Sequence, residues 1–145
     1  MSVYEEIAAI LHPAPEPDDI PEEIRSDVWA DITEAREQTA FNLEAAWDAH
    51  GEDAEPLLSA LAGARRRREE AEADIRRLIA YGREFTRPRP YKLADLAAAA
   101  GMSISGVRTA YDHAEVADVQ KATGLKTREW RATSPDDSTE DGSTA

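Results

Sequence analysis

The chain has 145 residues, no cysteine and a formal net charge of −13. The lack of cysteine excludes disulfide bonds, thiolate metal sites and cysteine nucleophiles. A charged fraction of 32% with an aromatic fraction of only 6% indicates exposed helices rich in alanine, glutamate and arginine. No apolar run approaches the roughly 20 residues that cross a bilayer, and the acidic amino terminus is unlike a secretion signal. We therefore expect a cytoplasmic, all-α protein that does not contact membranes.

Residues 1–21 predict a short helix followed by a proline-rich linker. Ser2 and Glu5 have the spacing of a capping box, which begins a helix. Pro13 ends that helix, because proline cannot continue the hydrogen-bond ladder. The sequence PAPEPDDIP that starts there is typical of a stiff, solvated connector.

Residues 22–85 predict a long antiparallel helical hairpin, an arm that resembles a coiled coil. The first helix, at 22–50, carries one apolar stripe at spacings of three and four. The stripe consists of Ile24, Val28, Ile32, Ala35, Thr39, Leu43, Ala46 and His50. Trp29 and Trp47 share one face of the same helix, because 18 residues correspond to five whole turns. Gly51 is suited to end this helix.

The second helix of the predicted arm repeats apolar residues in a heptad pattern. The pattern comprises Leu57, Leu61, Ala64, Arg68, Ala71, Ile75, Leu78, Gly82 and Phe85. Four consecutive arginines at 65–68 interrupt it. A thin hairpin with two apolar stripes cannot cover both of them alone, so we expect a homodimer.

The stretch KLADLAAAAGMSISGVRTAYD resembles a helix-turn-helix, the DNA-binding superfamily of many small bacterial, phage and plasmid regulators. Ala97 stands where the two helices cross closely, and Gly101 stands where the turn needs a positive φ. Val107 stands where a branched side chain of the second helix packs back on the first. Ser103 is placed to cap the second helix. Further inward positions are Leu93, Leu96, Ala100, Met102 and Ala110.

The resemblance implies a three-helix or four-helix domain over residues 70–131. Independently of it, we expect no cofactor and no metal, since the histidines are scattered and lack metal-ligand spacing. The end of the preceding long helix would support the motif, through Ile75, Leu78, Ile79 and Phe85. One more helix is predicted from His113 to Thr123, closed by Gly124. The last residues, 132–145, contain no apolar side chain able to anchor them, so we expect a disordered acidic tail.

The resemblance also implies which side chains meet double-stranded DNA, since the second helix of such a motif lies in the major groove. Arg108 would donate a bidentate pair to guanine, with Ser105, Thr109 and Ile104 as further base contacts. Asp112, one turn beyond Arg108, would hold its guanidinium in place. Phosphate contacts would come from Ser103, Lys92, Arg89 and Arg87, with Arg83 in the same basic flank.

The charge is distributed unevenly along the chain. Residues 1–55 carry a net charge of −14, residues 56–131 a net charge of +5, and residues 132–145 a net charge of −4. The motif therefore lies in the only positive part of the sequence. A local positive field is sufficient for DNA binding, because screening limits electrostatic reach to about 8–10 Å.

Catalysis finds no support in the sequence, since there is no phosphate-binding glycine loop, no metal-ligand spacing and no nucleophile motif. The carboxylates are expected on solvated helices. The leading hypothesis is a sequence-specific, dimeric DNA-binding protein that regulates transcription or maintains a mobile element. The alternative is an adaptor whose acidic residues 1–55 bind a protein partner, such as RNA polymerase or a DNA-binding protein, with a secondary helix-turn-helix.

Overall fold

A computed structural model describes residues 1–128, and within that range the chain is all-helical with no strand. The α-helices are α1 (Val3–Leu11), α2 (Arg25–His50), α3 (Pro56–Glu84), α4 (Leu93–Ala100), α5 (Ile104–Thr109) and α6 (His113–Thr123). Short 3₁₀ helices precede α2 at Pro17–Asp19 and Glu22–Ile24, and another precedes α3 at Gly51–Ala54. The acidic tail predicted at 132–145 lies outside the described residues.

The chain divides into two compact units, Met1–Arg68 and Glu69–Ala145. The division falls within α3, so this helix supplies its first half to one unit and its second half to the other. The first unit contains the strongly acidic part of the sequence. The second contains the stretch that resembles a helix-turn-helix.

The capping box predicted at the start of α1 is confirmed. The backbone N–H of Ser2 donates to Glu5 Oε2 at 2.6 Å, and the N–H of Glu5 donates to Ser2 Oγ at 3.3 Å. The bond from the Ser2 backbone is the main reason that the pKa of Glu5 is lowered. The far end of α1 is fastened to α2, because Arg36 Nε donates to the carbonyl of His12 at 2.9 Å.

The apolar stripe predicted along α2 is confirmed from Val28 to Ala46. All six of its positions in that stretch are half-buried, whereas Ile24 and His50 at its ends are exposed. No residue of α2 is fully buried. Trp29 and Trp47 keep more than a third of their surface exposed. The helix is therefore held along one face only.

The predicted role of Leu78 beneath the motif is wrong. Its side chain is 65% exposed, whereas Ile79 is buried and Ile75 packs against the same core. Residues advance by about 100° around an α-helix, so Ile75 and Ile79 lie on one line while Leu78 points elsewhere. Phe85, in contrast, is buried as predicted.

The second unit has a core of two clusters. The first contains Ile79, Ala97 and Val107, and the second contains Ala80, Phe85 and Val119. Tyr111 packs against both clusters. Side chains from α3, α4, α5 and α6 thus meet in one small helical core.

Replacing Val107 by alanine is expected to lower the free energy of unfolding by about 1.5–3 kcal/mol, because the side chain has no exposed surface and its loss leaves a cavity. Chemical denaturation measures the change. Leu78→Ala removes more apolar volume at an exposed position and serves as the control, with an expected change below about 0.5 kcal/mol. Equal losses in the two variants would contradict the described core.

Candidate nucleic-acid interface

The connection between α4 and α5 turns at Gly101. Its φ of 65° and ψ of 35° are left-handed, which glycine adopts without strain. The N–H of Met102 donates to the carbonyl of Ala97 at 3.0 Å, and that of Gly101 donates to the carbonyl of Ala98 at 3.4 Å. This is the hydrogen-bond pattern of a Schellman motif, which ends one helix and redirects the chain. The prediction for Gly101 is confirmed.

Ser103 caps α5, as predicted. Its Oγ accepts a hydrogen bond from the N–H of Gly106 at 2.9 Å, which satisfies one of the free donors at the helix start. A Cβ at position 106 would lie only 3.1 Å from that Oγ. Glycine at this position therefore leaves room for the capping hydroxyl.

The inward face of α4 and α5 is the one that the sequence predicted. Val107 and Ala97 are buried together with Ile79. The remaining inward positions are half-buried around them, namely Leu93, Leu96, Ala100, Met102 and Ala110. Because Val107 fixes the rotation of α5, the side of α5 away from the core is also determined.

The four predicted base-contacting residues all lie on that exposed side. Ile104 is 45% exposed, and Ser105, Arg108 and Thr109 are exposed as well. Thr109 Oγ1 donates back to the carbonyl of Ser105 at 3.2 Å, so its oxygen remains available as an acceptor. Within the described range, Arg108 has no hydrogen-bond or ion-pair partner, and its guanidinium is free to bind a ligand.

The predicted contact between Asp112 and Arg108 is wrong. Helix α5 ends at Thr109, so Asp112 does not lie one turn further along the same helix. It is instead the N-cap of α6, where its Oδ1 accepts from the N–H of Ala114 at 2.8 Å. An aspartate at an N-cap satisfies free backbone donors, and this role directs the Asp112 carboxylate to the start of α6.

The basic residues between α3 and α4 are exposed, and several hydrogen bonds hold the segment that carries them. Arg87, Arg89 and Lys92 are exposed. Thr86 Oγ1 lies 2.8 Å from the carbonyl of Gly82 and 3.1 Å from that of Arg89.

Arg83 plays a different part from the other basic residues. Its Nη1 donates to the carbonyl of Tyr91 at 2.8 Å, and the N–H of Tyr91 donates to the carbonyl of Gly82 at 3.0 Å. These bonds tie the start of the α4 segment to the end of α3. The Arg83 guanidinium therefore holds the segment between α3 and α4 in place, whereas the side chains of Arg87, Arg89 and Lys92 are exposed to solvent.

A buried polar network, which the sequence analysis did not predict, lies beside the core. The expectation that the carboxylates are solvated is wrong for Glu84, which is 2% exposed. Tyr111 Oη donates to Glu84 Oε1 at 2.5 Å. Arg128, 4% exposed, donates from its backbone N–H to the carbonyl of Glu84 at 2.9 Å and from Nη2 to that of Arg83 at 2.6 Å.

This network joins residues that are far apart in the sequence, so no local pattern could reveal all of it. The one available signal was the position of Glu84, one turn after Ala80 and beside Phe85, on the buried side of α3. The bonds of Arg128 fasten the chain after α6 to the end of α3.

Comparison with protein-family models, with curated proteins and with solved structures finds no match. Over residues 1–128, no helix is long and apolar enough to cross a membrane. The same range contains no group of three or more histidine, aspartate or glutamate side chains able to hold a metal ion.

Glu115 supports a prediction about pH. The N–H of Asp112 donates to Glu115 Oε2 at 3.0 Å, and Arg76 Nε lies 3.3 Å from Oε1. Backbone hydrogen bonds, chiefly that from Asp112, lower the pKa of Glu115 from 4.5 to about 2. Because the folded pKa lies below the ordinary one, the ionised form stabilises the fold above about pH 4.5. That contribution is lost as the pH falls towards 2.

We expect Glu115→Gln to lower the free energy of unfolding at pH 7, with the deficit narrowing as the pH falls from 4.5 towards 2. Urea denaturation at several pH values measures it. Glu70→Gln, at an exposed position of α3, is the control and should show no such pH-dependent deficit. Asp112 and Glu115 form a capping box at the start of α6, and a Glu115→Gln deficit that is constant across this pH range would contradict it.

Proposed function

We propose that the chain is a sequence-specific DNA-binding protein, a dimeric regulator of transcription or a maintenance protein of a mobile element. The observation that carries this proposal is the exposed row of Ile104, Ser105, Arg108 and Thr109 on α5, opposite the buried Val107. In this proposal α4 and α5 form a helix-turn-helix, and α5 lies in the major groove. The row then faces the base edges.

The local geometry supports the assignment of a helix-turn-helix. A Schellman turn at Gly101, a capped second helix and the close packing of Ala97 with Val107 are the features that bring two short helices together at a tight turn. The core residues Ile79 and Ile75 of α3 supply the supporting surface that such a pair requires. Support from a further helix is needed because a two-helix fragment cannot bury its apolar face alone.

The chemistry of the exposed row matches the major groove. A guanidinium can donate two hydrogen bonds to O6 and N7 of guanine, and hydroxyl groups can contact bases or phosphates. Ile104 can contact a thymine methyl group. Lys92, Arg89, Arg87 and the capping Ser103 would contact the phosphate backbone, which provides affinity without direct sequence information.

The acidic groups near α5 oppose DNA less than their number implies. Asp112 accepts a hydrogen bond from the N–H of Ala114 in the first turn of α6. Glu115 accepts one from the N–H of the N-cap Asp112 and also lies against Arg76. Their negative charge is therefore partly balanced by protein donors. Residues 69–131, the part of the second unit before the acidic tail, carry a net charge of +1, with the basic residues Arg87, Arg89 and Lys92 together before α4.

Homodimerisation is proposed for the first unit, because that unit buries few side chains and exposes many apolar ones. Its buried apolar residues are Ile7, Ala8, Ile20, Ala54 and Pro56. Its exposed large ones include Ile10, Trp29, Phe41, Trp47, Leu57, Leu58 and Leu61. Covering such side chains gains about 25 cal/mol per Å². A second copy with the same stripes would cover them symmetrically.

The antiparallel hairpin of α2 and α3 remains part of this proposal. Residues of α1, α2 and the first half of α3 line one groove of about 430 Å³ in the first unit, among them Leu43 and Gly63. The 3₁₀ helix Gly51–Ala54 between α2 and α3 is short enough for the two helices to be neighbours.

A DNA-binding test separates the two kinds of contact. Arg108→Ala should weaken binding to the preferred duplex by about 1–3 kcal/mol and relax the preference at one base pair per half-site. Lys92→Ala and Arg89→Ala should weaken all sequences alike and reduce the salt slope by about one unit each. Fluorescence anisotropy on a selected and a scrambled duplex, across a salt titration, distinguishes these outcomes.

Arg66→Ala is the matched control, since it removes the same charge from an exposed position in the first unit. It should leave sequence preference unchanged. If Arg108→Ala behaves like Arg66→Ala, α5 does not contact bases and the proposed function is wrong.

The dimer is tested by sedimentation equilibrium of the full chain at micromolar concentration. The double variant Leu58→Gln, Leu61→Gln should shift the protein from dimer towards monomer, because both side chains are more than half exposed in a single chain. Leu78→Gln, in the second unit, should leave the dimer intact. A wild-type monomer across this range would contradict the proposal.

One observation favours the second candidate function, an adaptor for a protein partner. The groove between α1 and α2 has a volume of about 660 Å³, and its walls include Glu5, Glu37, Glu44 and the exposed ring of Phe41. Acidic walls around an aromatic ring suit a basic amphipathic helix. Phe41→Ala would abolish partner capture in an adaptor and would leave DNA binding by the second unit unchanged.

A further inference from the structure

A cavity lies in the second unit, at the junction of the end of α3, the segment between α3 and α4, and the chain after α6. It is a pocket of about 370 Å³. Three aromatic rings line it, those of Tyr81, Phe85 and Tyr91. Two cationic side chains, Arg87 and Lys126, complete its walls together with Leu125 and Thr86.

Two of the three rings are partly open to solvent. Tyr81 and Tyr91 are 38% and 56% exposed, whereas Phe85 is buried, with 4% exposed. The rings of Tyr81 and Phe85 lie nearly parallel, with 12° between their planes and 6.4 Å between their centres. The pocket therefore presents aromatic surface that the fold itself does not cover.

Hydrogen bonds on two sides hold this pocket in shape. Tyr91 is tied to α3 through its backbone, by the bonds with Gly82 and Arg83. On the other side, the bonds from Arg128 to the carbonyls of Glu84 and Arg83 fix the stretch that contains Leu125 and Lys126. The hydrogen bonds of Arg128 with Glu84 and Arg83 therefore hold one wall of the pocket in position.

We propose that this pocket binds a nucleotide of a single-stranded nucleic acid, with the base on the tyrosine rings and the phosphate between Arg87 and Lys126. Every nucleotide joins a flat π-system to a phosphate, and proteins bind single strands by stacking bases on aromatic rings within a positive groove. A volume of about 370 Å³ falls within the range of small-ligand pockets. The site is distinct from the exposed row on α5, although it shares Arg87 with the phosphate contacts of the proposed duplex interface.

A single strand fits the pocket better than an acidic peptide does. An acidic peptide would use Arg87 and Lys126 but would have no need for two exposed tyrosine rings. Paired bases in a duplex cannot stack on a protein ring without leaving the helix. The combination of rings with cations is therefore best satisfied by unpaired bases.

The test uses the full chain and a fluorescein-labelled thymidine oligonucleotide of about 12 nucleotides, a length within the range of single-strand sites. Tyr81→Leu and Tyr91→Leu should each weaken binding by about 5-fold or more, since stacking on one ring contributes a factor of this order. Tyr81→Phe and Tyr91→Phe keep the ring and should bind like wild type. Thermal unfolding followed by circular dichroism checks that all variants are folded.

Lys126→Gln should also weaken oligonucleotide binding. Lys121→Gln makes the same charge change at an exposed position of α6 and should have a smaller effect. Binding to a blunt duplex should be unchanged in Tyr81→Leu, and Arg108→Ala should leave oligonucleotide binding unchanged. The two proposals can therefore fail separately.

Equal oligonucleotide binding by the leucine and phenylalanine variants would overturn the proposed site. Tight binding of a polyglutamate peptide that depends on Lys126, without oligonucleotide binding, would also overturn it and would assign the pocket to a protein partner.

Discussion

The close packing of Val107 on Ala97 and Ile79 is the constraint on which the second unit depends. Val107 has no exposed surface, so α5 cannot rotate about its axis without losing that contact. The rotation of α5 about its axis determines which of its six residues point outward. The proposed DNA contacts of Ser105, Arg108 and Thr109 follow directly from this one buried side chain.

In the same unit, buried polar groups form hydrogen bonds beside the apolar core. Tyr111 packs against both apolar clusters and donates its hydroxyl hydrogen to the buried Glu84. Arg128 then binds the end of α3 through its backbone and its guanidinium. A buried carboxylate and a buried guanidinium are costly without partners. These groups are placed where they also hold the aromatic pocket together.

The charge distribution explains how an acidic protein can still be proposed to bind DNA. The net charge of −14 over residues 1–55 belongs to the first unit, and screening limits its effect beyond about 8–10 Å. The apolar side chains exposed on that unit support the proposed dimer. In the proposed dimer, two copies of α5 would read paired half-sites on one duplex, which is how many regulators gain affinity.

Local patterns in the sequence were enough to predict the helices, the caps at Ser2 and Ser103, and the turn at Gly101. Each of these depends on residues within one or two turns of helix. Leu78 was misplaced because the heptad pattern pairs it with Ile75, whereas the side of α3 that faces the core carries Ile75 and Ile79. Asp112 was misplaced because a short helix can end before its apparent pattern does. Glu84 and Arg128 were missed since their contact spans distant parts of the sequence.

The most direct measurement of the central claim is a nuclear magnetic resonance titration of the ¹⁵N-labelled full chain with duplex DNA. If α5 lies in the major groove, the amide signals of Ser103, Ser105, Gly106 and Arg108 shift on binding. Signals of residues 1–55 should change little at the same ratio of DNA to protein. Shifts confined to residues 1–55, or an unchanged spectrum with a selected duplex at low salt, would contradict the proposal.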